Sequence, residues 1–217
     1  MSRPPLSTQR VIDAASRVAD ASGLAGVSMR SVGRELEVEA MSLYHHVASK
    51  DALLDGLADW VFERIGAPAT GPWRAEMEAR ARSARTVLAA HPWGLGLLES
   101  RRSPGPATLR HHDAVLGCLR TAGFSVPLAA HAFSVLDAYT YGFVLTEVNL
   151  PFEPGESPEE FIAGIEAALG DLPHLAEMVA EQVVGRDYAY GDEFAHGLAL
   201  ILDGLEAAYA EEVRGGS

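Results

Sequence analysis

Cys118 is the one cysteine in 217 residues, which excludes an internal disulfide and any zinc site built on cysteine pairs. No apolar run approaches the roughly 20 residues of a membrane-spanning helix, and Met-Ser-Arg-Pro-Pro at the start lacks the hydrophobic stretch of a secretion signal. A reducing, cytoplasmic setting is therefore expected, with no membrane partner. Alternating strand patterns are nearly missing, and the breaks in helical periodicity fall at proline and glycine. No His-Glu-x-x-His, phosphate-binding glycine loop or Gly-x-Ser-x-Gly occurs. Positive charge is scarce as well: 17 Lys and Arg against 30 Asp and Glu give a net charge of −13. With 48% hydrophobic and 22% charged residues, the composition is that of a soluble globular protein with a real core.

The charge is unevenly placed. Residues 1–50 carry six basic side chains (Arg3, Arg10, Arg17, Arg30, Arg34, Lys50) and five acidic ones (Asp13, Asp20, Glu35, Glu37, Glu39), a balance of +1, so the other 167 residues hold −14. An acidic body repels DNA, whereas a near-neutral end can approach it. With so little excess positive charge, non-specific affinity is weak and specificity must come from base contacts.

Within that end, residues 28–50 read as two short helices around a tight turn, followed by the start of a third. Val32 and Leu36, then Val38, then Leu43, Tyr44 and Val47 form one apolar stripe that sets the crossing angle and leaves the outer faces polar. The second short helix, about two turns long, is too short to persist alone. Held by its neighbours with one face exposed, it suits the major groove.

From Arg10 to Trp60 the chain resembles the N-terminal domain of the tetracycline-repressor (TetR) family. The matching residues are the first helix from Arg10 to Gly23, Val27-Ser28-Met29-Arg30, Leu43-Tyr44-His45-His46-Val47 and Ser49-Lys50-Asp51-Ala52-Leu53-Leu54. Glu37 departs from the family, which usually has glycine in that turn; a left-handed residue without glycine there costs roughly 1 kcal/mol. The resemblance implies an all-α fold: a three-helix DNA-binding domain with a helix-turn-helix over residues 1–66, and a helical ligand-binding and dimerisation bundle over residues 67–217.

Ser7 is placed to cap the first helix, with Leu6 and Val11 at the two positions of a hydrophobic staple and Gly23 ending the run. A fourth helix runs from Ser49 to Gly66. Further helices are predicted at about 73–90, 93–100, 106–122, 127–148, 158–169, 173–184 and 192–212. Asn149 to Pro158, with three prolines and a glycine, is expected to be non-helical and mobile. Helix 127–148 is apolar around most of its circumference, and 194–209 in the last helix carries a second wide apolar stripe with Gly197 and Gly204 allowing close approach. Either they form the interior of one large bundle, or, as the resemblance implies, they pair with their copies in a homodimer whose two heads bind a palindromic operator in double-stranded DNA.

The resemblance also assigns roles. Arg30 matches a base-contacting position, where a guanidinium reaches a guanine edge. Ala40, Met41 and Ser42 open the recognition helix, the first two suited to thymine methyls. Tyr44, His46 and Lys50 match phosphate-contacting positions, and His45 faces groove or solvent. For a hydrophobic or aromatic effector, Trp93, Leu97, Leu116, Phe133, Leu136, Tyr139, Thr140 and Phe143 are candidate lining with His112 as a polar group; the alternative is that this stripe is ordinary core. The family's founding member takes its drug with a divalent metal. No residue set here calls for a metal or cofactor, since His45-His46 and His111-His112 each point about 100° apart on a helix. Cys118 reads as a small packed side chain rather than a redox sensor.

The leading function is a ligand-responsive repressor released from its operator by the effector. An all-helical enzyme would have to draw on His112, Asp137 and Thr140, which no spacing brings together. A helical interaction module without DNA binding has Glu37 as its one hint.

Overall fold

Serine opens the first, second and fourth helices, each time by accepting a hydrogen bond from the backbone three residues on: Ser7 from Arg10, Ser28 from Ser31 and Ser49 from Ala52. At Ser28 the box is reciprocal, with the Ser31 hydroxyl accepting from the Ser28 amide at 2.9 Å. The computed structural model describes residues 5–98, 100, 101, 103–150, 158–186 and 188–215, with backbone alone at 158, 159 and 165–168. The described residues form helices and no strand: α1 (Thr8–Gly26), α2 (Met29–Leu36), α3 (Ala40–Leu43), α4 (Lys50–Phe62), α5 (Trp73–Ala90), α6 (Leu95–Leu98), α7 (Pro106–Thr121), α8 (Val126–Glu147), α9 (Pro158–Leu169), α10 (Pro173–Gln182) and α11 (Glu193–Gly215). None is long and apolar enough to cross a membrane.

Several boundaries differ from expectation for local reasons. Gly23 does interrupt α1, at φ 64 and ψ 178, but one more turn follows the kink before Val27. The recognition helix is shorter than two α-turns. It is α-helical at Ala40–Leu43, and the next turn tightens to bonds such as Tyr44 N to Met41 O and His46 N to Leu43 O. The expected 93–100 helix splits into a 3-10 turn at Pro92–Gly94 and the single turn of α6. Of the Asn149–Pro158 segment, residues 151–157 lie outside the described residues.

Two apolar cores organise the chain. The first unites Val11, Ala15, Val32, Leu36, Leu43, Val47, Leu53 and Leu57 of the N-terminal helices with Ala84, Leu88, Trp93, Leu97 and Val144 of the body. Its apolar packing therefore runs past residue 66 without a break. The second joins Met77, Val115, Leu119, Leu128, Leu136, Phe143, Phe194, Leu198 and Leu202 from α5, α7, α8 and α11.

The turn between α2 and α3 is closed by Glu37, at φ 54 and ψ 46, with Glu37 N bonded to Arg34 O at 3.1 Å and Val38 N to Gly33 O at 2.9 Å. That is a Schellman turn in which glutamate occupies the left-handed position. Gly33 supplies the close approach: a Cβ there would meet Val38 O at 2.9 Å and the Ala40 backbone at 3.3 Å. Gly33→Ala should therefore destabilise the fold by about 1–3 kcal/mol, whereas Glu37→Gly should stabilise it by up to about 1 kcal/mol. Thermal unfolding of both variants checks the pair, and a stabilised Gly33→Ala would contradict the crossing.

Candidate functional site

The buried side of the α2–α3 unit holds Val32, Leu36, Leu43 and Val47, with Val38 partly covered. Tyr44, which the sequence places in that stripe, is instead 46% exposed, and Met41 is 73% exposed. Met41, Tyr44 and His45 are thus left to solvent, as is Lys50 at the start of α4, with Ala40, Ser42 and His46 partly covered. The Thr8 hydroxyl donates to His46 O at 3.1 Å, tying the end of the recognition unit to the start of α1. Arg30 is exposed in the first turn of α2, and neither it nor Lys50 forms an ion pair with any described residue. An unpaired guanidinium and ammonium beside an exposed, rigidly seated turn of helix are what a phosphate backbone and base edges require.

Helix α4 connects this face to the body. Trp60 Nε1 donates to Asp13 of α1 at 2.9 Å, and Arg64 lies over the Trp60 ring, 3.3 Å from its centroid. At the far side of α4, Asp59 caps another helix. Its carboxylate accepts from Ala107 N at 3.0 Å, Thr108 N at 2.9 Å and the Thr108 hydroxyl at 2.7 Å, supplying the start of α7 with the cap that Gly105 cannot give. Arg101 reaches back to Asp55 at 2.6 Å. A second junction is made by Asp20 of α1, which accepts from Trp93 Nε1 at 2.6 Å and sits 2.7 Å from His91 Nδ1.

Beside α4 lies a cleft of about 510 Å³ lined by Phe62, Leu98, His112, Phe133, Ser134, Asp137, Ala138 and Tyr141. Phe62 stands edge-on to His112, with ring centroids 5.2 Å apart, and His112 edge-on to Phe133 at 5.1 Å. Of the nine expected lining residues, the structure brings His112 and Phe133 together here. Trp93 borders a different crevice, of about 580 Å³, against α1 and the end of α8. Leu97 belongs to the first core, Leu136 and Phe143 to the second, and Leu116 packs against the second. Thr140 is buried with its hydroxyl donated to Leu136 O, and the Tyr139 hydroxyl donates to Phe194 O at 3.0 Å over Gly197. On α8 the rest of the expected set followed 136, 140 and 143, which pack into the bundle. The cleft is lined by 133, 134, 137, 138 and 141, about 100° around α8. Phe62, Leu98, Ser134, Asp137, Ala138 and Tyr141 line this cleft outside the expected set; four-residue spacing from Phe133 through Asp137 to Tyr141 was the available signal.

Behind Asp137 is a buried polar cluster. Arg80 Nη2 lies 2.5 Å from Asp137 Oδ1, and Arg80 Nε donates to His111 Nε2 at 3.0 Å. Because arginine can only donate, neutral His111 carries its proton on Nδ1. Burial, then the neighbouring Arg80 and His112, lowers the His111 pKa to about 4. Burial also raises the Cys118 thiol, which disfavours the reactive thiolate. Among the described residues, no group of three or more His, Cys, Asp or Glu is placed to hold a metal.

The fold and the exposed α2–α3 face define a helix-turn-helix DNA-binding protein joined to a helical body with a small-molecule-sized cleft. Residues 11–57 match the bacterial regulatory proteins of the tetR family, and residues 65–209 match the tetracyclin repressor-like C-terminal domain. The chain belongs to the TetR family of transcriptional regulators and carries its DNA-binding domain at the N-terminal end. It is 36% identical to the HTH-type transcriptional repressor DrrR1 of Streptomyces coeruleorubidus, over 96% of this chain and 80% of that protein. It is 32% identical to the class A tetracycline repressor protein from transposon 1721 of Escherichia coli, over 92% of this chain and 90% of that one. Among solved structures it is similar to the Streptomyces coelicolor TetR family protein ActR in complex with actinorhodin, with a TM-score of 0.78 and 27% identity over 97% of this chain and 100% of that one.

His111 gives a pH test of the cluster. Its folded pKa of about 4 lies below the unfolded value of 6.5, so between these values the unfolded chain binds the extra proton and stability falls as pH falls. Urea unfolding should show a loss of roughly 1–2 kcal/mol from pH 6.5 to pH 5. The slope over that window should diminish in His111→Gln; an unchanged slope would place its source elsewhere.

Proposed function

We propose that the protein is a homodimeric repressor that binds a palindromic operator and is released by a hydrophobic or aromatic effector held in the cleft beside α4. The observation that carries this reading is α4 itself, which begins at Lys50 on the DNA face and ends at Phe62 in the cleft wall. A ligand that shifts Phe62 acts on the same rigid element that sets the recognition unit. Two states suffice: one in which two heads match successive major grooves, and one, favoured by ligand, in which they do not. Linkage then requires DNA to lower ligand affinity by the same factor. The likeness to a TetR family protein solved with actinorhodin supports a ligand in the body.

Dimerisation is supported by surface the chain leaves uncovered. Val135, Ala138, Gly142 and Leu145 share one exposed face of α8, and Leu200, Gly204 and Ala207 one exposed face of α11. A Cβ at Gly204 would meet nothing in its own chain, whereas one at Gly197 would clash with Tyr139, so of the two glycines only Gly204 is open to a second helix. These exposed faces favour pairing with a second copy over the interior of a single-chain bundle. Leu172, Leu175 and Met178 at α10 are exposed as well, outside the two helices expected from sequence. Catalysis by His112, Asp137 and Thr140 is disfavoured because the Thr140 hydroxyl is buried and already donated to Leu136 O.

Selection of bound fragments from random DNA, at stated salt, should return a palindrome. On that site Lys50→Ala and Tyr44→Phe should weaken binding to a similar degree on all sequences, and Arg30→Ala should relax preference at one base position by about 1–3 kcal/mol. Unchanged affinity in all three gel-shift series would remove these assignments.

A further inference from the structure

The cleft has a charged floor that an apolar ligand would not need. Arg80 is 2% exposed, and its pairing with Asp137 is close but bent: neither Arg80 Nη2, Asp137 Oδ1 nor His111 Nδ1 has an aligned hydrogen-bond partner. A buried ion pair of this kind is seldom a net gain in stability over apolar side chains of the same volume. On the cleft side, Asp137 Oδ2 accepts from the Tyr141 hydroxyl at 3.2 Å, so a phenol already makes this contact from within the same helix. The rings of Phe62, His112 and Phe133, packed edge to face in series, form one aromatic side of the cleft.

We infer that Asp137 is the specificity-determining residue of the cleft, accepting a hydrogen bond from a hydroxyl on a planar, uncharged aromatic ligand. The inference rests on the cleft being the effector site. The ligand is uncharged because Arg80 already balances Asp137: a cation would add an unbalanced positive charge at low dielectric, and an anion would meet a carboxylate. It bears a neutral donor because the oxygen reached by Tyr141 can only accept, and a hydroxyl matches the phenol that already makes this contact. The aromatic side and a volume of about 510 Å³ suit a ring system.

Calorimetric titration of the full chain with four probes, naphthalene, 2-naphthol, 2-naphthylmethylamine and 2-naphthoate, tests this. 2-Naphthol should bind about tenfold more tightly than naphthalene, as a hydrogen bond to a charged acceptor allows, and the amine and carboxylate should bind more weakly than 2-naphthol. Asp137→Leu alone would strand Arg80, so the second arm is the double variant Arg80→Met with Asp137→Leu, in which naphthalene still binds and the advantage of 2-naphthol falls to within about twofold. Ser134→Trp, at an exposed position on the cleft wall, should block every probe. Equal binding of 2-naphthol and naphthalene, or a tenfold advantage that survives the double variant, overturns the role of Asp137; the effector cleft itself stands if Ser134→Trp still blocks. Failure of all four probes to bind the unmodified protein, or binding indifferent to Ser134→Trp, overturns both.

Discussion

Helix α4 is packed from two sides. Leu53 and Leu57 lie in the first core with α1 and α2, while Phe62 reaches His111 and His112 of α7, and Asp59 holds the amides that open α7. A helix seated in this way moves as a unit or not at all, because close-packed interiors are bistable rather than soft. Every functional statement about the chain depends on that constraint. The recognition unit has little structure of its own and takes its orientation from α1 and α4; the cleft has no closed wall without the last turn of α4.

The polar links chosen at this junction are economical in range. Asp13, Asp20, Asp55 and Asp59 each accept from a donor on another segment: Trp60, Trp93, Arg101 and the α7 amides. Directional bonds of this type specify where the N-terminal helices sit on the body, whereas the apolar contacts around them supply most of the free energy. The same division holds at the DNA face. Schellman closure at Glu37 and the missing Cβ of Gly33 set the crossing of α2 and α3, and the buried Val32, Leu36, Leu43 and Val47 hold it there.

Much of this was legible in the residues. The serine cap at position 7, the Pro and Gly breaks and the 3.6-residue periodicity located the long helices to within a few residues. Tyr44 was misplaced because an amphipathic side chain reads as apolar in a stripe although its hydroxyl favours water. Most of the expected α8 lining lies about 100° around the helix from the cleft beside α4, for a related reason. A helix apolar around most of its circumference carries no periodic signal to say which side meets the core, which side meets a cavity and which is left for another chain.

Short-range spacing, capping and composition set the class of fold, the order and approximate length of the long helices, the helix-turn-helix and the uneven charge, all of which can be read along the chain. Tertiary structure alone decided that Gly33 must be glycine, that Asp59 caps a helix 48 residues away, and that Arg80, His111 and Asp137 converge from α5, α7 and α8. Contacts between distant segments depend on how whole helices dock, and docking is set by the sum of many weak packing terms that no local pattern records.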